Sequence, residues 1–163
     1  MGALVKLIDG ILFLFFLITA VATLTMDAQI CLPLNLFPDS LIEAKSTYIR
    51  EYSDYLMDKP PHFYIGLIWL QLLLVTPLCL ANLYGIVARK GWFNTTSLIC
   101  GVSFFTIKVC LVSELVGSGK ASEKLVWRFI TFTGLGALAI LRGLLPVSGT
   151  VSKEAALSRK KRA

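Results

Sequence analysis

The stretch PPHFYIGLIWLQLLLVTPLCLANLYGIVA, residues 60–88, contains no Asp, Glu, Lys or Arg. A helix of roughly 20 apolar residues is long enough to cross the ~30 Å hydrocarbon core of a bilayer. The stretch therefore predicts a membrane-spanning helix, with Gln71 inside it and a kink at Pro77, which has no backbone N–H to donate.

Three further stretches, residues 10–26, 91–107 and 129–141, are also free of these charged residues. The 163-residue chain is 56% hydrophobic and 16% charged, with a mean hydropathy of +0.74, which excludes an ordinary water-soluble domain. We predict an all-α integral membrane protein, a four-transmembrane-helix bundle in one membrane domain over residues 1–150. The predicted spans are about 5–26, 62–88, 92–115 and 125–147, and residues 151–163 form a basic tail.

The connection between the first two spans is long enough for a helix of its own. Ser40 and Glu43 have the spacing of a capping box, and apolar residues follow at helical spacing as far as Leu56. We expect an amphipathic helix in this first loop. At 100° per residue, Asp54 would lie on its solvated face.

The distribution of basic residues predicts the orientation. With both termini in the cytosol, nine Lys or Arg lie on the cytosolic side and six on the luminal side, as the positive-inside rule favours. The first loop is then luminal, and Arg128 and Arg142 in the fourth span should extend towards lipid headgroups. In an alternative interpretation, Ala20-Val21-Ala22 is the cleavage site of a signal peptide.

The carboxyl end carries a candidate address signal. Lys160 and Lys161 stand four and three residues from the end, the positions of the dilysine signal through which coat-protein machinery retrieves proteins to the endoplasmic reticulum. The alternative is a basic patch that binds anionic headgroups. The net charge of +6 is not accompanied by any nucleic-acid-binding module, so no nucleic-acid partner is predicted.

Several motifs are better explained by structure than by chemistry. Gly117–Lys120 resembles part of a phosphate loop but lacks the following Ser or Thr, and it connects two spans, so we expect a turn. Asn94 begins a glycosylation sequon that would face the cytosol, and His62 has no second ligand nearby. Three of the four cysteines fall within predicted spans, so the sequence predicts no disulfide, no metal site and no cofactor.

Polar residues inside the predicted spans point to a binding site, because they are costly in a membrane and usually have a function or a partner. Asp27, Gln71 and Lys108 are of this kind. Gln71 and Lys108 lie at similar depth from one side, so they could share a cavity with Asp27. Alternatively, Asp27 and Lys108 form an ion pair and Gln71 bonds to a neighbouring helix.

The same residues carry a family resemblance. Met26-Asp27, Leu32-Pro33, Glu51 to Asp54, Pro60-Pro61 and Gln71 with Pro77 resemble the EXPERA family, most closely its sigma-two receptor branch. The resemblance implies a four-helix bundle in the endoplasmic reticulum with an intramembrane cavity for sterols or amphiphilic amines. The family also includes the emopamil-binding sterol isomerases.

The resemblance also implies roles for individual residues. The positions of Asp27 and Asp54 are ligand-facing carboxylates in the sigma-two branch, which conflicts with the solvated position that periodicity gives Asp54. Both placements can hold only if the helix breaks near Ser53. The position of Gln71 is a glutamate there, which donates a hydrogen bond to the first carboxylate. A glutamine keeps an N–H donor but cannot exchange a proton as an acid does. Lys108 has no counterpart in the branch.

Three functions remain open on the sequence. The first is binding of a sterol or another amphiphilic lipid or amine by Asp27, Asp54, Gln71 and Lys108, in sterol or lipid homeostasis. The second is a sterol double-bond isomerase, which needs a proton-carrying pair that Gln71 does not provide, so no catalytic residue is predicted. The third is an interaction or trafficking subunit without a ligand site. A sterol-trafficking protein is a candidate protein partner.

Overall fold

The computed structural model describes residues 2–145 as an all-α bundle. The α-helices, in chain order, are α1 Gly2–Ala22, α2 Ala28–Cys31, α3 Asp39–Tyr52, α4 Tyr55–Asp58, α5 His62–Leu70, α6 Thr76–Val87, α7 Phe93–Ser118 and α8 Glu123–Leu144. One turn of π-helix, Thr23–Asp27, joins α1 to α2, and a second, Gln71–Val75, joins α5 to α6. A short 3₁₀ turn, Leu34–Leu36, follows α2.

Four continuous helical segments are long and apolar enough to cross a membrane: Ala3–Cys31, His62–Val87, Phe93–Ser118 and Glu123–Leu144. The predicted four-helix membrane architecture is therefore confirmed. The first segment continues beyond residue 26, so that Asp27 lies within the helix rather than after it. The two ends of the bundle are called here the loop end, where α3 and α4 lie, and the terminal end, where α1 begins.

The two π turns have local causes in the sequence. Pro77 has no N–H with which to continue the regular hydrogen-bond ladder, and in the turn before it Thr76 donates its N–H and its hydroxyl to the carbonyl of Gln71. In the first span, Thr25 donates its hydroxyl to the carbonyl of Val21 at 2.8 Å. Each turn adds a residue and changes the direction of the side chains that follow it.

Helices α7 and α8 form a tightly packed hairpin. A Cβ at Gly101 would lie 2.8 Å from the backbone nitrogen of Ile140, so glycine permits this close approach. Ser97, which is fully buried, donates a hydrogen bond across the contact to the carbonyl of Ala139 at 3.1 Å. The hairpin fixes the relative position of the two helices that form one wall of the site described below.

At the terminal end, Arg142 joins three helices. It donates to both carboxylate oxygens of Asp9 in α1, at 2.6 and 3.3 Å, and to Asn94 in α7 at 3.0 Å. Only 12% of its side chain is exposed. The expectation that Arg142 extends to headgroups is wrong, because partners within the bundle satisfy its charge. Asn94 also donates to the carbonyl of Leu145.

At the loop end, the predicted amphipathic helix is present, with two differences. It begins at Asp39 and has no side-chain cap, so the capping box at Ser40 and Glu43 is not formed. It also ends at Tyr52, because Ser53 takes the left-handed conformation at φ 53°. This break starts α4 in a new direction and moves Asp54 away from the solvated face.

The remaining motifs behave as turns and helix ends where they are described. Helix α7 runs through Ser118, and Gly119 ends it at φ 63°, so Gly117–Lys120 is a helix end followed by a turn. All four cysteines are free. The candidate retrieval signal at Lys160 and Lys161 lies outside the described residues.

Candidate functional site

A cavity of about 470 Å³ lies inside the bundle near the loop end. Its walls are mainly apolar and come from the first two spans, from α7 and α8, and from the α3–α4 segment. On one side it is lined by Leu17, Ile18 and Val21, which are also 40%, 51% and 53% exposed on the outer surface of α1. These α1 residues contact both the cavity and the outer surface, so the cavity reaches the surface of the bundle beside α1, and Phe132 of α8 also lines it.

The polar end of the cavity is organised by Gln71. Its side-chain amide donates to Oδ2 of Asp27 and to Oγ1 of Thr23, both at 2.7 Å. Gln71 is 2% exposed, and its Oε1 has no hydrogen-bond partner among residues 2–145. The two π turns thus face each other and bring the amide and the carboxylate together. Asp27, Gln71 and Lys108 all line the cavity, and their role in binding a ligand stays a prediction.

Asp54 lies at the same end, with 1% of its surface exposed. Its Oδ1 accepts hydrogen bonds from the backbone N–H groups of Leu56 and Met57, at 3.2 and 3.3 Å, and so caps α4. Its Oδ2 accepts from the hydroxyl of Tyr48 at 3.4 Å. Burial raises the pKa of Asp54, against the lowering effect of the backbone hydrogen bonds. The solvated position expected from helical periodicity is wrong, because the left-handed turn at Ser53 redirects the chain.

The α3–α4 segment covers the loop end of the cavity and is held there by polar contacts. Tyr48 and Tyr52 stack at 4.8 Å, and the guanidinium of Arg128 lies over both rings, at 4.8 and 5.0 Å. Arg128 is also exposed, so its extension to headgroups stays a prediction. Ser122 donates to the carbonyl of Tyr52 at 2.7 Å. Burial raises the pKa of the Tyr48 hydroxyl, which keeps it a hydrogen-bond donor to Asp54.

Lys108 projects into the cavity from α7. Its Nζ lies 5.0 Å from the ring centroids of both Phe104 and Phe129, which places the ammonium between two aromatic faces. Within residues 2–145, Lys108 makes no ion pair and no hydrogen bond. The alternative in which Asp27 and Lys108 form a direct salt bridge is therefore not what the structure contains. Both charges line the cavity separately.

Some lining residues were missed by the sequence reasoning. Thr19, Thr23 and Asp27 follow one another at spacings of four residues along the first span, and all three line the cavity. This polar stripe was visible in the sequence. The hydroxyl oxygen of Thr19 is buried and has no partner among the described residues. Nothing in the sequence marks the aromatic lining residues as part of a site, because aromatic residues at helical spacing are ordinary core residues. These are Tyr48, Phe104 and Phe129.

The arrangement has the character of a binding cavity. A mainly apolar cavity with a few convergent polar groups suits an amphiphile, whose hydrocarbon part fills the walls and whose headgroup meets Asp27, Gln71 and Lys108. Among residues 2–145, no group of three or more His, Cys, Asp or Glu side chains could hold a metal ion.

Residues 40–141 match the model of the EXPERA family, the expanded EBP superfamily. The chain belongs to this family. The matched region includes Asp54, Gln71 and Lys108, and it begins after Asp27. The EXPERA membership inferred from individual residues is thus confirmed by a match that covers most of the chain.

Curated relatives are proteins named sigma intracellular receptor 2. The one from Xenopus tropicalis is 23% identical over 119 residues, which are 71% of this chain and 68% of the relative. The one from Homo sapiens is 27% identical over 114 residues, 68% of this chain and 64% of the relative. The chain therefore aligns with about two thirds of the length of these relatives, at low identity.

Proposed function

We propose that this EXPERA protein is a multi-pass protein of the endoplasmic reticulum membrane that binds a sterol or another amphiphile in the cavity at Asp27, Gln71 and Lys108. The cavity itself is the observation that carries the proposal. A bundle whose polar residues served only to pack helices would be filled at this position. The named relatives are receptors, which supports ligand binding as the role of the cavity.

The exposed α1 residues that line the cavity support entry of the ligand from the lipid phase. These residues are apolar and are exposed on the membrane-facing side of the bundle, so a hydrocarbon ligand could enter without crossing water. We therefore expect the ligand to be a hydrophobic molecule that partitions into the bilayer.

Location and orientation belong to the same proposal. Lys160 and Lys161 supply the retrieval signal, and coat-protein machinery is their partner. Both termini are cytosolic, so α3 and α4 cover the cavity from the luminal side. This arrangement suits a role in sterol or lipid homeostasis, because it places the site in the membrane in which sterols are made.

The binding proposal is tested with a photoreactive, clickable sterol on the purified protein in lipid nanodiscs. We expect saturable cross-linking, competition by unlabelled sterol, and labelled peptides from the cavity walls. Ala22→Trp should fill the cavity and abolish specific cross-linking. The matched control is Leu80→Trp, at a 52% exposed position on α6 that does not line the cavity. Equal specific cross-linking of native protein and Ala22→Trp would refute the assignment of the site.

The alternative isomerase function needs a group that delivers a proton to an alkene and another that removes one. Gln71 occupies the position next to Asp27 and cannot do this as an amide. We therefore expect no double-bond shift when Δ8-sterols are incubated with the protein and extracted for mass spectrometry. Product formation that depends on Asp27 would favour the enzyme instead.

A further inference from the structure

The charges around the cavity are balanced. Two acidic residues, Asp27 and Asp54, and two basic residues, Lys108 and Arg128, line it. A neutral ligand leaves this balance unchanged, whereas a cationic or anionic ligand adds an uncompensated charge at a site within the membrane. Such a charge is costly where the surroundings have a low dielectric constant.

The hydrogen-bonding groups that remain free are of both kinds. Lys108 has three N–H donors and no acceptor among residues 2–145, and the hydroxyl of Thr19 has no partner there. On the acceptor side, Gln71 Oε1 has no donor among the same residues, and Asp27 accepts a hydrogen bond from Gln71 at Oδ2. Asp54 is already occupied by two backbone N–H groups and Tyr48.

A hydroxyl group fits this combination, because it donates one hydrogen bond and accepts others. Placed between Asp27 and Lys108, it can donate to the carboxylate and accept from the ammonium. A protonated amine can satisfy only the carboxylate, and it brings a positive charge towards the ammonium of Lys108, which no carboxylate of residues 2–145 contacts directly.

We infer that Lys108 is a specificity-determining residue, which makes the cavity select neutral hydroxyl-bearing amphiphiles and reject cationic amines. The inference rests on the proposed function and names the ligand class for the same site. The carbon skeleton provides affinity through the apolar walls, and the headgroup is selected at Asp27 and Lys108. Discrimination of this kind depends on a repulsive element as well as an attractive one.

The test compares three compounds with one skeleton: 5α-cholestan-3β-ol, 3β-amino-5α-cholestane and 5α-cholestane. Each competes with the photoreactive sterol for native full-length protein in nanodiscs at pH 7, where the amine is protonated. The alcohol should compete best, with the amine weaker by about tenfold or more, the effect expected of one like charge in a low-dielectric site. Competition by the amine at or below the concentration needed for the alcohol would overturn the inference.

Two variants assign the effect to Lys108. Lys108→Met should raise amine affinity by about tenfold or more and reverse the preference, because it removes the repulsion and leaves Asp27 unopposed. Lys108→Arg keeps the charge and should keep the preference for the alcohol. An unchanged preference in folded Lys108→Met would contradict the inference, and the native comparison remains decisive if that variant does not fold.

The failure of the inference can be told apart from the failure of the proposed function. If none of the three compounds competes and the photoreactive sterol shows no saturable labelling, the cavity is not a sterol site and both proposals fall. If the hydrocarbon and the amine compete as well as the alcohol, the cavity binds amphiphiles but does not select the headgroup, and only this inference falls.

Discussion

The strongest structural prediction concerns Gln71→Leu, which keeps the approximate volume of the side chain and removes its two hydrogen bonds. The side chain is 2% exposed, and both bonds, to Asp27 and to Thr23, are 2.7 Å long. Hydrogen bonds between membrane helices contribute about 0.6 kcal/mol on average and up to ~1.7 kcal/mol. Two of them give an expected loss of about 1–3 kcal/mol in the free energy of unfolding.

The loss can be measured by thermal unfolding in detergent. For a chain of this size, 1 kcal/mol corresponds to a shift of about 2–4 °C in Tm, so a loss of ~2 kcal/mol lowers Tm by about 4–8 °C. The matched control is Ser97→Ala, which removes one buried hydrogen bond between α7 and α8 away from the cavity. Ser97→Ala should lower Tm by only about 1–2 °C and leave sterol cross-linking unchanged. Gln71→Leu, in contrast, should weaken sterol cross-linking.

A double-mutant cycle with Asp27→Asn isolates the contact. If Gln71 and Asp27 interact as described, the double variant should lose less free energy of unfolding than the sum of the losses in the two single variants. The coupling energy should exceed the ~0.5 kcal/mol expected for independent sites. A native Tm in Gln71→Leu, or additivity within that margin, would refute the argument that this bond organises the site.

Three further predictions follow from contacts and signals elsewhere in the chain. Arg142→Met should lower Tm by several degrees and should lose most of its effect in an Asp9→Asn background, since the two side chains form one partly buried ion pair. Glu51→Cys places a thiol in the exposed part of α3, which the proposed orientation puts on the luminal side. In cells whose plasma membrane alone is permeabilised, an impermeant thiol reagent should therefore not label it, and labelling should appear after solubilisation. Replacing Lys160 and Lys161 by serine should release an amino-terminally tagged protein from the endoplasmic reticulum, and an unchanged distribution would exclude the retrieval signal.

The four spans could be predicted from the sequence because their signal is additive over about 20 residues, and single polar residues do not remove it. The end of the first span could not. The predicted span ends at residue 26 because the charge-free run stops there. The helix continues to Cys31, and the amide of Gln71, 44 positions later in the chain, donates a hydrogen bond to Asp27 within it. A contact across so many residues is not visible in local hydropathy.

The position of Asp54 shows a different limit. Helical periodicity is reliable only while the helix continues, and Ser53 interrupts it in the left-handed conformation. That conformation favours glycine, asparagine and aspartate, so the serine by itself does not predict it. A break near Ser53 was expected only as the way to reconcile periodicity with the family resemblance, and the structure contains it. The resemblance to the EXPERA family placed Asp54 towards the cavity without explaining why, and the geometry of the turn supplies the physical reason.

The site depends on irregularities in two helices that hydropathy treats as uniform. A π turn is less stable than regular helix unless other groups stabilise it, and such turns occur frequently at functional sites. Pro77 accounts for the second turn. In the first span, Thr25 donates to the carbonyl of Val21, and Gln29 donates to the carbonyl of Thr25 at 2.6 Å.

Thr25 and Gln29 therefore stabilise the shape of the first span, a role that hydropathy does not indicate. They hold the segment that directs Asp27 towards Gln71, just as Pro77 and Thr76 hold the opposite segment. A regular helix in the first span would rotate Asp27, at the end of its π turn, by about 100° and separate the carboxylate from the amide of Gln71. The geometry of the headgroup site thus follows from the helix backbone as much as from the residues that line the cavity.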